Sequence, residues 1–125
     1  MSEILNSLLE IKVADILTNN ISLYKGAITE NYVANQLVCN GYSLYYWQSN
    51  GIAEIDFLIY TKDGIIPVEV KAGDSVHSKS LNVYIDKFHP KYAIRISTKN
   101  FGYDAIKKIK SVPLYATFCI NESNL

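Results

Sequence analysis

Residues 53–73 read A-E-I-D-F-L-I-Y-T-K-D-G-I-I-P-V-E-V-K-A-G, two apolar runs separated by a short polar interval, and this pattern predicts a β-hairpin. In the first run Ala53, Ile55, Phe57 and Ile59 alternate with Glu54, Asp56, Leu58 and Tyr60, the period-two spacing of a strand with one buried face. Lys62-Asp63-Gly64 supplies the turn, because glycine accepts the positive φ that tight hairpins require. In the second run, from Ile65 to Lys71, Val68 and Val70 face one way and Glu69 and Lys71 the other.

The register of this hairpin decides whether its charges meet. A two-residue loop at Asp63-Gly64, or a four-residue loop from Lys62 to Ile65, sets Asp56 opposite Lys71 and Leu58 opposite Glu69, so that Asp56, Glu69 and Lys71 share a face. Directly opposed residues lie about 4.5–5.5 Å apart and diagonal ones about 7–8 Å, close enough for one cation to bridge both carboxylates. Pro67 favours the longer loop, which puts its missing N–H at a non-hydrogen-bonded pair. A three-residue loop would turn Asp56 to the other face unless a bulge restored the parity.

Outward from the hairpin, a helix is expected from Ala27 to Asn40, with Ile28, Tyr32, Val33, Leu37 and Val38 as its buried stripe and Asn40-Gly41 as its stop. Glu30 falls in its first turn, where the helix dipole alone would favour an acid. Tyr42 to Gln48 is an aromatic-rich strand, suited to core packing, to stacking on bases, or to an edge that pairs with a second copy. A further helix opens near Ser78 and runs to Phe88, with Leu81, Tyr84, Ile85 and Phe88 inward. Tyr92 to Ser97 is a strand, Tyr103 to Lys110 a short helix, and Pro113 to Ile120 either a strand or a helix. Residues 1–24 carry apolar positions near helical spacing, broken by Asn19-Asn20; they form a helical extension packed on, or linking to, the domain at 25–125. The order α-β-β-β-α-β gives an α/β domain with a mixed central sheet and flanking helices.

With 125 residues, Lys+Arg and Asp+Glu both at 12, and 49% apolar residues, the chain suits one domain with a real core. Zero net charge argues against indiscriminate nucleic-acid binding. Yet residues 1–70 hold three Lys/Arg against eight Asp/Glu, and residues 71–125 nine against four. An acidic pocket flanked by a basic second half would suit a phosphodiester; an ordinary solvated surface accounts for the same asymmetry. No apolar run is long enough to cross a bilayer and the N-terminus lacks a secretory signal, which points to the cytoplasm. Cys39 and Cys119 are expected as buried free thiols. His77 and His89 lack the spacing of a metal pair, and no G-x-x-x-x-G-K-[ST] occurs, so the chain is not itself a P-loop ATPase by that motif.

Asp56, then Glu69-x-Lys71, with Glu30 on the preceding helix, resembles the PD-(D/E)xK nuclease superfamily. The chain also resembles a domain of unknown function found at the C-terminus of many bacterial and archaeal AAA-type ATPases. That likeness lies in K-G-A-I-T-E-N-Y-V-A-N-Q-L, L-Y-Y-W-Q-S-N-G-I-A-E-I-D-F-L-I, I-I-P-V-E-V-K-A-G and S-K-S-L, from about Lys25 to about Cys119. The resemblance implies a restriction-endonuclease-like fold and a metal-dependent hydrolase acting on DNA or RNA. Glu30, Asp56, Glu69 and Lys71 would be the catalytic set, and Asp56, Glu69 and the Val70 carbonyl the ligands of Mg²⁺ or Mn²⁺, with Lys79 near a phosphate. It also implies an ATPase domain as partner, in the same or a separate chain. A catalytically silent docking module, or a nucleic-acid binder that does not cleave, are the alternatives, because the same residues also make an ordinary surface charge cluster.

Overall fold

A computed structural model describes residues 21–51, 53–71 and 79–121. Residues 1–20 of the extension expected at 1–24, His77 and the start of the second helix at Ser78 lie outside these residues, while 21–24 belong to the first helix and not to an extension. Helix α1 (Ile21–Cys39) is followed by strands β1 (Leu44–Ser49), β2 (Ala53–Thr61) and β3 (Gly64–Val70), helix α2 (Lys79–Phe88), and strands β4 (Ala93–Ser97), β5 (Gly102–Asp104) and β6 (Ile109–Pro113). A 3₁₀ segment, Leu114–Cys119, follows. The six strands form one mixed sheet in the order β1-β2-β3-β4-β6-β5. β1, β2 and β3 make an antiparallel meander, β3, β4 and β6 run parallel, and β5 closes the far edge antiparallel to β6. The α/β class and the first six elements agree with the sequence pattern.

The sheet separates two cores. On one side Val33 and Leu37 of α1 pack with Ile59, Ile66, Val68, Ile94 and Ile96; on the other, Leu81 and Tyr84 of α2 pack with Ile55, Ala93 and Ile109. Helix α1 stops as Asn40-Gly41 predicts. Gly41 has φ +99°, and the Tyr42 and Gly41 N–H groups donate to Leu37 O at 3.1 Å and Val38 O at 3.0 Å, a Schellman closure. Asn40 then ties the helix end to the 3₁₀ segment, its Nδ2 donating to Ile120 O at 2.8 Å and lying 3.3 Å from Thr117 O.

Several expectations are corrected. Of the α1 stripe only Val33 and Leu37 are buried; Ile28, Tyr32 and Val38 are exposed, because a single helix on a twisted sheet buries only a narrow face. Residues 103–110 are not helical but form β5, a turn and β6: Asp104 Oδ1 accepts from the Ile106 and Lys107 N–H groups, both at 3.0 Å, and this side-chain turn reverses the chain. Pro113 ends β6, and its fixed φ leads into the 3₁₀ turn. Neither cysteine forms a disulfide, but Cys39 is exposed and Cys119 half-buried, since each lies at an element end beyond the core.

The hairpin register also differs. Thr61 pairs with Gly64, Tyr60 with Ile65 and Leu58 with Pro67, so Lys62-Asp63 is the loop and the strands are shifted by two residues from the expected alignment. Thr61 Oγ1 accepts from the Asp63 N–H at 3.0 Å and donates to Gly64 O at 3.1 Å, while Gly64 takes φ +98°. A shift of two preserves parity, so Pro67 still falls at a non-hydrogen-bonded position, just ahead of the parallel ladder that begins at Val68–Ile94.

Candidate functional site

The site grows from an irregularity in β2. Tyr45 pairs with Leu58 but Trp47 with Ile55, so Tyr46 alone faces both Asp56 and Phe57, a β-bulge on β2. Its effect shows in the cores. Ile55 packs with the α2 side, whereas Phe57, only two residues on, packs with the α1 side. The expected single face of Ala53, Ile55, Phe57 and Ile59 is therefore broken at Asp56. The sequence gives one sign of this, the unbroken apolar triplet Phe57-Leu58-Ile59 directly after an alternating segment.

At the bulge the β2–β3 ladder ends. Its last pair is Phe57–Val68, and the Val70 N–H, which the next rung would have used, donates to Asp56 Oδ2 at 2.8 Å. A strand residue points its N–H and C=O to the same edge, so the Val70 carbonyl faces this gap as well. On its other side β3 stays paired, the Lys71 N–H donating to Ile96 O at 2.8 Å. Continued along the shifted register, Asp56 lies across from Glu69, not Lys71. Lys71 instead meets its neighbour but one: its Nζ is 3.4 Å from Glu69 Oε1. Glu69 is only 4% exposed, and its Oε2 is buried without a hydrogen-bond partner among the described residues.

Glu30 reaches this cluster from α1. Its carboxyl hydrogen-bonds that of Asp56, and burial, Asp56 and Glu54 together raise its pKa from 4.5 to about 7. Glu30 is thus the carboxyl that keeps the proton, and Asp56 the one that accepts from it. Asp56 is also pushed above the usual carboxylate range, chiefly by burial and then by Glu69 and Glu54, against the lowering effects of the Val70 N–H and Glu30. Glu54, a fourth acid, is exposed; Tyr46 Oη donates to its Oε2 at 3.1 Å, and its own N–H donates to Ser80 Oγ at 3.2 Å. Loss of hydration and this contact raise the Tyr46 pKa. Ser80 brings the first turn of α2 to the cluster, with Lys79 exposed at the helix start.

Glu30, Asp56, Glu69, Lys71 and the Val70 backbone are therefore brought together, and Lys79 lies at the same end of the sheet. Among the described residues no three acidic, histidine or cysteine groups already stand as a metal-ligating cluster. The donors at hand are two carboxylates and a carbonyl, hard oxygens of the kind Mg²⁺ and Mn²⁺ take alongside several waters, and the unpartnered Glu69 oxygen fits a cation. The basic second half does not flank these acids as a whole. Lys71, Lys79 and Lys99 stand at the acidic end, whereas Lys62, Lys87, Lys91, Lys107 and Lys108 follow the hairpin turn, the end of α2 and the starts of β4 and β6, at the opposite end.

No described helix is long and apolar enough to cross a membrane. Comparison with curated proteins and with solved structures brings no match. A sequence profile described as a domain of unknown function (DUF4143) matches residues 25–116. From Lys25 to Ala116, through both helices and all six strands, the chain belongs to the DUF4143 family.

Proposed function

We propose that this domain is a metal-dependent, nuclease-like module of restriction-endonuclease architecture that hydrolyses phosphodiester bonds of DNA or RNA. The observation that carries the reading is the Glu69 carboxylate, buried beside Asp56 with one oxygen that no described residue donates to. Leaving such an atom unsatisfied costs on the order of 1–3 kcal/mol, and a divalent cation shared by Glu69, Asp56 and the Val70 carbonyl would remove that cost. A bound Mg²⁺ or Mn²⁺ would supply phosphoryl charge neutralisation and a nucleophilic water. Lys71, held at Glu69, would orient that water or stabilise the charge developing on phosphate. Glu30 would keep Asp56 in place through the shared proton, and Lys79 would meet a flanking phosphate.

The test is calorimetric titration of Mg²⁺ and Mn²⁺ into chelator-stripped wild type and Glu69→Gln. Binding by the wild type that disappears in the variant is the expected result. An absence of binding at millimolar ion in the wild type would overturn the metal-site reading. A second reading, a docking or regulatory module, draws on the family's common occurrence with AAA-type ATPases and on the scarcity of lysines around the acids. It predicts affinity for a separately expressed ATPase module, undiminished by Glu69→Gln.

A further inference from the structure

The face of the sheet that carries α2 has a second surface, about 13 Å along β2 from Asp56 at roughly 3.3 Å per residue, toward the hairpin turn. Tyr60 pairs directly with Ile65, and Tyr45, paired with Leu58, is their diagonal neighbour on the outermost strand of the sheet. All three side chains are open to solvent, at 71%, 50% and 59% exposure. Ile65 shares a cleft with Phe88 at the end of α2, itself 48% exposed.

The ring of Phe88 is held at a fixed angle. Trp47 meets Tyr84 and Phe88 edge-on, with centroids 5.2 and 5.8 Å away, and Tyr84 lies 4.6 Å from Phe88. Between Ile65, Tyr84, Phe88, His89, Pro90 and Lys91 opens a cleft of about 340 Å³. Within the cleft one lysine balances one acid, and a second lysine stands at its rim beside the exposed Asp86. Lys87 Nζ sits 5.6 Å from the Phe88 centroid, and Lys91 Nζ lies 3.7 Å from Asp63 Oδ1, the acid of the cleft. Lys62 and Lys108 lie at the same end of the sheet.

We infer that this surface binds single-stranded nucleic acid, with Tyr45, Tyr60 and Phe88 as stacking faces and Lys87 and Lys91 drawing in the phosphates. Flat, exposed aromatics with lysines between them recognise bases of any sequence through their π-faces and the backbone through charge. An acidic protein segment would use the lysines but has no need of three open rings. A second copy would bring the same cations against one another. From the cleft, Tyr45 and Trp47 lead along β1 to a smaller opening lined by Gln48, Glu54 and Ser80, beside the acids. The inference deepens the nuclease-like reading by naming a single-stranded substrate. It rests on that reading for the fate of the bound strand, though not for binding.

The experiment is fluorescence anisotropy with labelled oligothymidylate and oligouridylate of about twelve nucleotides, within the range of single-strand sites. The full chain is used, with EDTA present so that cleavage plays no part. The wild type is expected to bind both probes, more weakly as salt rises. Tyr45→Ala and Tyr60→Ala are each expected to lose about tenfold in affinity, with circular dichroism unchanged because both side chains are exposed. Failure of the wild type to bind either probe would overturn the inference, as would tyrosine variants that bind like wild type. So would tyrosine variants whose only change is lost self-association in sedimentation velocity. If strand binding holds while no metal titrates into the acids, the stacking surface stands and the nuclease reading falls.

Discussion

Glu30 and Lys71 give the acid cluster its response to pH and to mutation. Because the folded-state pKa of Glu30 is raised from 4.5 to about 7, the folded chain keeps a proton that the unfolded chain releases between those values. Its contribution to stability is therefore complete below about 4.5, declines as pH rises across the window and is gone above about 7. Glu30→Gln cannot ionise, so the Tm of the variant relative to wild type should rise between pH 5 and pH 8; parallel curves would show that Glu30 titrates normally. Lys71 provides the one ion pair of Glu69 among the described contacts. Lys71→Ala should cost about 1–2 kcal/mol in urea denaturation, moderated because the lysine is partly exposed, and Glu69→Gln in the same chain should recover most of it. Additive losses would argue against the pair.

Between elements, two joints bear the load. Asn40 fastens the end of α1 to the chain after β6 through Ile120 O at 2.8 Å. Asn40→Asp replaces that donor with an acceptor facing carbonyl oxygens, and should lower stability by about 1–3 kcal/mol at neutral pH; an unchanged urea midpoint would remove the clamp from the argument. Leu81 is wholly buried between α2 and the sheet, so Leu81→Ala should cost about 2–5 kcal/mol. Most elements were legible because their signals are local: the alternation in β2, the Asn40-Gly41 stop, the Leu81/Tyr84 stripe. The bulge was not, because it is defined by the strand beside it: nothing within residues 53–61 says that Tyr46 will face two residues at once. The β5–β6 turn was misread for a related reason, since three nearby lysines look helical until Asp104 caps the reversal. For the candidate site, residue types and spacing singled out Glu30, Asp56, Glu69 and Lys71, which the structure brings near one another. Which carboxyl holds the proton, and the pairing of Lys71 with Glu69, depend on a two-residue register that spacing alone leaves open.

Over the whole molecule, the parallel strands β3, β4 and β6 set the charge layout. Their starts and the hairpin turn collect Lys62, Lys91, Lys107 and Lys108, and their far ends meet Glu30, Glu54, Asp56 and Glu69. Zero net charge thus conceals an uneven distribution, and salt should weaken strand binding at the lysine end. The sheet order also has a consequence for synthesis. The acids and Lys71 are contributed by residues 30–71, joined by a local antiparallel meander, whereas β4, which makes β3 an interior strand, comes later in the chain. While the ribosome has released only the meander, Glu69 lies on an edge, hydrated and at little electrostatic cost, and a three-stranded piece of this kind is only marginally stable. Its desolvation waits for the non-local, slower pairing of β3 with β4. Nascent chains therefore pass the stage of strand alignment before Glu69 must give up its water, which it does only once β4 pairs with β3.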